Sequence, residues 1–328
     1  MPTFSLNSRT GNLLRILLGL LILAGLVAWV DLSETWDILR KISWEWILIL
    51  LAISFVLIAV SCAKWRMFLR NRGLEVGFFR LVGLYIIGYF FNNFTLGNVG
   101  GDVIRGAMLG RQSGSHSDAF GSVFMERFTG FLALFLMALL GACLRPDLLS
   151  HPGLLLGMSL IAGLFFVVVL SMSFAPFQNI IRKILNRFSS FALARKLSSF
   201  AEVLFAFHEH KGLLVLAMGW SLLFQIMTVV NTQAACAALG IDADFLELMV
   251  LVPMVLLVAA IPVSVNGWGF MEGGFVLFLG MAGIPEAEAL SIALVLRGKN
   301  LFLAGLGGLL LVFWKSVHTA PPEKETTP

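Results

Sequence analysis

An all-α integral membrane protein is the fold class this sequence predicts, and three observations predict it. Of 328 residues, 59% are apolar (AVILMFWYC) and only 13% are Asp, Glu, Lys or Arg, whereas a soluble domain sits near half and a quarter. Mean hydropathy is +0.92. The apolar residues gather in runs of the roughly 20 that a helix needs to cross the hydrocarbon, and 29 Phe and 32 Gly against two Tyr suit helices that face lipid and pack closely. This composition excludes a polar, disordered chain.

The runs are taken in order. Leu13 to Val30 follows Arg9 and carries Arg15 at its start. It is long for a signal-peptide core, and Ala28-Trp29-Val30 is a poor cleavage site, so it reads as a retained span. Trp46 to Ala63 is the second span. Phe120 to Leu144, Leu154 to Ala175, Leu213 to Leu239 and Ala287 to Trp314 follow, giving about six full transmembrane helices. Leu81 to Leu109 is broken by Asn92-Asn93 and by residues 97–102. Phe245 to Ile284 is broken by Pro253, Pro262 and residues 267–274. Backbone that leaves the helix at membrane depth must be sheltered by protein or line a polar cavity. Both regions are therefore read as re-entrant or broken helices, with eight ordinary spans as the alternative. Across 178–211, Ile180, Ile184, Phe188 and Phe191 recur at helical spacing beside Arg182, Lys183, Arg187, Arg195 and Lys196. This is an amphipathic segment for the cytoplasmic surface. Residues 1–320 form a single polytopic domain, and 321–328 a polar, disordered tail.

The charge distribution orients the drawing. The formal net charge is +4. With both termini inside, 16 basic residues fall on the inner side, among them the cluster Lys64, Arg66, Arg70, Arg72 and Arg80, and only Arg40, Lys41 and Arg145 on the outer side. Basic loops mark the cytoplasmic face, here of a cytoplasmic (inner) membrane. No motif makes the positive charge a nucleic-acid footprint. Cys62, Cys143 and Cys236 stand alone, and His208 and His210 flanking Glu209 face different ways on a helix. Neither a metal site, a disulfide framework nor a cofactor is expected.

Seven ionisable side chains lie within or near the apolar regions: Asp102, Arg105, Glu126, Arg127, Glu272, Arg297 and Lys299. At the bilayer centre each costs at least roughly 2.5–3.5 kcal/mol, so they need partners or a wet cavity. Four bases against three acids leave one positive charge over, which an anionic lipid head group would match. Internal salt bridges that only fix packing are the competing reading. Glycines stand beside these residues: Gly97, Gly100 and Gly101 at the first break, and Gly267, Gly269, Gly273 and Gly274 at the second. They suit backbone turns with φ > 0 and close approach to a ligand, and helix N-termini at such breaks can offer N–H groups to anions. Gly97, Asp102, Gly110 and Arg127 also align with Gly267, Glu272, Gly280 and Arg297, each pair 170 residues apart. An internal inverted repeat would place the site at the midplane between its halves.

At these residues the chain resembles a known family. Asn92-Asn93-Phe94-Thr95-Leu96-Gly97-Asn98-Val99-Gly100-Gly101-Asp102-Val103-Ile104-Arg105 looks like the Gly-Gly-Asp-x-x-Arg signature of the lysylphosphatidylglycerol synthase transmembrane (flippase-like) family. Glu126-Arg127 resembles its following Glu-Arg pair, and Gly267-Trp268-Gly269-Phe270-Met271-Glu272 its later Gly-x-Gly-x-x-Glu element. The likeness spans roughly residues 10 to 315. It implies a lipid translocase that moves an anionic or aminoacylated phospholipid, or a lipid-linked head group, between leaflets. The cytosolic synthase domain lies outside that likeness, so synthase activity is not expected. A membrane enzyme on a lipid-linked substrate, or an accessory subunit to a separately encoded lipid-modifying enzyme, are the alternative readings. Membrane lipids are the expected partners.

Overall fold

The computed structural model describes residues 30, 32–95, 99–150, 152–173, 175–187, 211–260 and 264–314. Among them are eleven α-helices, one 3-10 turn at Pro146–Ser150, and no strand. The helices are α1 (Leu32–Leu39), α2 (Trp44–Asn71), α3 (Phe78–Asn92), α4 (Gly100–Ser113), α5 (His116–Leu144), α6 (Pro152–Ser173), α7 (Ala175–Arg187), α8 (Lys211–Ala238), α9 (Phe245–Ala259), α10 (Phe270–Met281) and α11 (Glu286–Phe313). The run Leu13 to Val30 lies outside the described residues but for Val30. So do Gly97, the 188–210 part of the amphipathic segment, both its histidines, and the tail 321–328.

Helices α2, α5, α8 and α11 are each long and apolar enough to cross a membrane, and α6 is 22 residues long. One sequence expectation changes here. The second span does not end at Ala63 but runs to Asn71, so Lys64 belongs to the helix and not to a cytoplasmic loop. Its buried face (Leu50, Ser54, Leu57, Ser61, Lys64, Phe68) repeats every three or four residues, the spacing of one helical stripe.

Side-chain bonds set the helix directions. Lys64 meets Glu126, Trp65 Nε1 donates to Ser122 Oγ at 2.9 Å, and Arg72 pairs with Asp118, so α2 and α5 run antiparallel. Arg80 Nε donates to Gln112 Oε1 at 2.9 Å, which brings the start of α3 and the end of α4 to that same first end. At the second end Arg145, closing α5, pairs with Asp147, Asp244 and Glu247, and Gln233 of α8 donates to the Ala243 carbonyl.

Arg145 donates to the Asp147 carboxylate and holds it below its usual range. A group whose folded value is lowered stabilises the fold above its unfolded value, and the contribution fades as pH falls through the lower, folded value. Acidification below about 4 is therefore expected to loosen this end, and Arg145→Ala to loosen it already at neutral pH. Hydrogen exchange on residues 146–150 and 241–247, normalised to intrinsic rates, reads both. Unchanged protection in Arg145→Ala at neutral pH is the contrary result.

The two interrupted regions are hairpins of short helices. Helix α3 has 15 residues, about 22 Å, which is less than the roughly 30 Å of hydrocarbon. It breaks after Asn92, and α4 returns to the first end. Helix α9 also has 15 residues, breaks after Ala259, and α10 returns to the second end. Their tips meet: Asn266 Nδ2 donates to Asn93 Oδ1 at 2.7 Å, and Asn266 N–H to the Thr95 carbonyl at 3.1 Å. Each hairpin thus returns to the end where it began, as re-entrant elements do and through-going spans do not. Helices α3–α4–α5 measure 15, 14 and 29 residues, and α9–α10–α11 measure 15, 12 and 28, in the opposite sense. This is an inverted repeat.

The glycines divide by role. Gly267 and Gly269 adopt φ of +68° and +81° and turn the second break. Gly100, Gly101, Gly273 and Gly274 instead lie inside α4 and α10, within five residues of their starts, with no left-handed φ. There the lack of a side chain serves contact. A Cβ on Gly101 would sit 2.4 Å from the Gly88 carbonyl oxygen, and one on Gly274 would press Val255 at 3.3 Å.

A buried ionic cluster as candidate head-group site

Asp102 is the third residue of α4, where the positive end of the helix dipole favours a carboxylate. Arg105 follows one turn later, and α5 presents Glu126 and Arg127 to both. Arg105 Nε and Nη2 donate to Asp102 Oδ1 at 3.0 and 2.8 Å, and Nη2 also donates to Glu126 Oε2 at 2.5 Å. Arg127 Nη2 donates to Asp102 Oδ1 at 3.1 Å, with its Nε 2.6 Å from Oδ2. The Arg105 guanidinium lies 4.8 Å from the Trp65 ring and 4.3 Å from that of Tyr85, an arrangement favoured by the ring quadrupole.

Two further residues complete the cluster, and neither was expected from sequence. Tyr85 OH donates to Glu126 Oε1 at 2.8 Å. Lys64 Nζ lies 3.7 Å from the same oxygen and donates to the Glu126 carbonyl at 2.8 Å and to Ser221 Oγ at 3.0 Å. Lys64 lies on the buried stripe of α2 that continues past Ala63. Tyr85 had no signal except that both tyrosines of the chain fall in α3.

Burial grades across the cluster. The Arg105, Glu126 and Lys64 side chains are 2–4% exposed and Asp102 15%, but Arg127 is 39% exposed. Arg127 sits about 17 Å into a helix about 43 Å long, between Phe120 and Phe131, both exposed apolar rings. Among the described residues, three cations (Lys64, Arg105 and Arg127) face two carboxylates (Asp102 and Glu126) in this cluster. Arg105 Nη1 is buried and donates to no acceptor among the described residues, and an unsatisfied buried donor costs about 1–3 kcal/mol.

The second break holds a smaller cluster. Glu272 is fully buried, accepts from Gly269 N–H at 2.8 Å, and takes Arg297 Nε at 2.7 Å. Arg297 also donates to the Asn266 and Gly267 carbonyls at 2.8 and 3.3 Å and stacks 4.8 Å over Trp268. Here the ion pair holds the turn itself. The N–H groups expected to receive anions are already engaged in part: Gly101 N–H by Asn92 Oδ1 at 2.7 Å, and Gly269 N–H by Glu272. Lys299 joins neither cluster. Its Nζ donates to Ser54 Oγ at 2.9 Å, and it forms no ion pair with a carboxylate of the described residues. With Lys64 included, five bases oppose three acids. No group of three His, Cys, Asp or Glu is placed to hold a metal among the described residues.

The two halves differ where it matters. At the 170-residue spacing Asp102 and Arg127 correspond to Glu272 and Arg297, and both pairs are bonded. Arg105 and Glu126 correspond to Phe275 and Leu296, which are buried apolar residues. One acid–base pair therefore suffices to hold a break, and the first half carries a second pair, a lysine and a phenol beyond that.

Comparison with known proteins agrees with the geometry. A UPF0104 membrane protein of Methanothermobacter thermautotrophicus is 24% identical over 315 residues, covering 90% of this chain and 93% of the relative. A UPF0104 membrane protein of Pyrococcus horikoshii is 23% identical over 323 residues, covering 91% and 96%. No solved structure matches. The family model described as the lysylphosphatidylglycerol synthase TM region matches residues 16–308, a stretch that contains both breaks and both clusters, and the chain belongs to that membrane-protein family.

Proposed function

We propose that this chain is a lipid translocase that moves an anionic or aminoacylated phospholipid, or another lipid-linked phosphate, between leaflets. The observation that carries this reading is Arg127, 39% exposed at mid-helix and held from behind by a buried ionic cluster. Its counterpart Arg297 is sealed at 5% exposure. Arg127 receives the head-group phosphate, Asp102 aims it, and the open Nη1 of Arg105 supplies a second donor. Lys64 and Tyr85 fix Glu126, which fixes Arg105. Acyl tails remain in lipid beside Phe120 and Phe131. Both carboxylates are saturated by cations or a phenol, which suits holding a geometry and not abstracting a proton, so an enzymatic reading is not favoured. Basic residues at the first end (Arg72, Arg80) and acidic ones at the second (Asp147, Asp244, Glu247) support a cytoplasmic first end, with both termini cytoplasmic in a cytoplasmic membrane.

Proteoliposomes with head-group-labelled phosphatidylglycerol, quenched from outside by dithionite, test the reading. Arg127→Gln is expected to slow head-group movement roughly ten- to hundredfold, the worth of a charge-assisted hydrogen bond of about 1.5–3 kcal/mol. Arg127→Lys should retain part of it. Wild-type rates in a well-folded Arg127→Gln protein defeat the proposal.

A further inference from the structure

A second polar feature lies away from the head-group cluster, on the inward face of α8. Ser221, Gln225 and Thr232 are buried at 0%, 6% and 1% exposure, with Thr228 between them. They repeat as i, i+4, i+7 and i+11, one stripe of a helix. An amide or hydroxyl in an apolar slab is costly without partners, and here Ser221 Oγ donates to Thr129 Oγ1 at 3.3 Å, Gln225 Nε2 to the Gly130 carbonyl at 3.2 Å, and Thr228 and Thr232 to carbonyls one turn back in α8.

The bond from Lys64 Nζ to Ser221 Oγ fixes the register of α2 against α8. The two run antiparallel, since α2 opposes α5 while α8 and α5 both end at the second end. Ten residues back from Lys64 to Ser54, and ten onward from Ser221 to Asn231, climb the same distance of about 15 Å. Asn231 therefore lies at the depth of Ser54, and Lys299 Nζ bonds Ser54 Oγ. Asn231 is 4% exposed, and its amide oxygen has no hydrogen-bond partner. Among the described residues, this level thus holds a lysine without an ion pair and a buried acceptor without a donor. Buried water answers both needs where polar groups line the space.

We infer that the seam from Lys64 through Ser221, Gln225 and Asn231 to Ser54 and Lys299 is a hydrated proton pathway across the central part of the bundle. Lysine suits the task because it can release its proton, whereas arginine keeps it. The charged groups facing Lys64 are Glu126 and Arg127 from α5 and Arg105 from α4. Ser221 is its contact from α8. Lys299 faces the Ser54 hydroxyl of α2, and Arg297 is its charged neighbour in sequence. In each passage Lys299 hands one proton to water, stands as the neutral amine, and regains one proton from the other side. No other bond changes. Two lysines in the lining oppose a metal cation. The pathway stands on the seam alone, while its use in driving head-group movement rests on the translocase reading.

The test uses the full-length protein in vesicles of phosphatidylethanolamine and phosphatidylglycerol, with pyranine inside, a pH step outside, and the potential clamped by potassium and valinomycin. Proton entry is expected to exceed that of protein-free vesicles. It should fall to their rate in Lys299→Met and in Asn231→Leu, and stay at the wild-type level in Ser159→Ala on the exposed face of α6. Gel-filtration profiles confirm that each variant is folded, and Lys299→Gln stands in should Lys299→Met fail to assemble. Wild-type entry no faster than in empty vesicles, entry unchanged in both seam variants, or a flux that follows chloride and not pH overturns the pathway. A protein that moves lipid without passing protons sinks this inference and leaves the translocase reading intact. One that passes protons and moves no lipid does the reverse.

Discussion

Glu272→Ala is expected to prevent stable assembly of the second half. Glu272 is fully buried and is gripped by Gly269 N–H and by Arg297. Removing it leaves the Arg297 guanidinium, only 5% exposed, among carbonyls and an indole with no counter-charge. Breaking a buried pair by deleting one partner costs about 3–5 kcal/mol, against total stabilities of about 5–15 kcal/mol for ordinary domains. The double variant Glu272→Leu/Arg297→Met is expected to recover part of the loss, since no unpaired charge remains buried. It should not recover all, because the Asn266 and Gly267 carbonyls lose their donors. Heating in detergent followed by fluorescence-detected gel filtration gives the ranking wild type, double variant, Glu272→Ala. A double variant less stable than Glu272→Ala contradicts this account.

The same pair shows what the sequence made legible. The breaks, the ionisable residues beside them and the 170-residue spacing could be read directly, because glycine, asparagine and charge in an apolar run have few physical explanations. The spacing even anticipates helix bounds: α5 begins at His116 and α11 at Glu286, α4 at Gly100 and α10 at Phe270. The roles were less legible. Arg297 and Arg127 look alike in sequence, yet one is bonded to the turn it stabilises while the other is half-exposed, and that depends on what packs over each. Lys64 was hidden by its basic neighbours Arg66, Arg70 and Arg72, which made a buried residue resemble part of a loop. The polar stripe of α8 was hidden by the apolar residues between its members. Lys299 groups with the acids in sequence because it lies within an apolar run, but residues two apart on a helix, such as Arg297 and Lys299, point to different sides, and Lys299 turns to Ser54.

Gly307→Ala and Gly101→Ala are expected to damage the protein through backbone contact, with different outcomes. A Cβ at Gly307 would sit 2.1 Å from the Ile86 carbonyl oxygen, and one at Gly101 2.4 Å from that of Gly88. A carbonyl within a helix cannot rotate away as a side chain can, so whole helices must part. Overpacking of this kind costs typically about 1–3 kcal/mol. At Gly307 the parting is between α11 and α3, which joins the two halves, and the expected result is a lower melting midpoint in detergent. At Gly101 it is between the arms of the first hairpin, one residue from Asp102. Asp102 holds both Arg105 and Arg127, so a shift of a few tenths of an ångström strikes the head-group site first. Gly101→Ala is therefore expected to lose head-group movement more than thermal stability, and Gly307→Ala the reverse. Gly298→Ala has open space around its Cβ and should change neither. If Gly298→Ala proves as harmful as Gly307→Ala, helix propensity or lipid contact governs these glycines, and the close approach of α3 to α11 does not. If Gly101→Ala moves lipid at the wild-type rate, Asp102 is not the residue that positions Arg127 for its cargo.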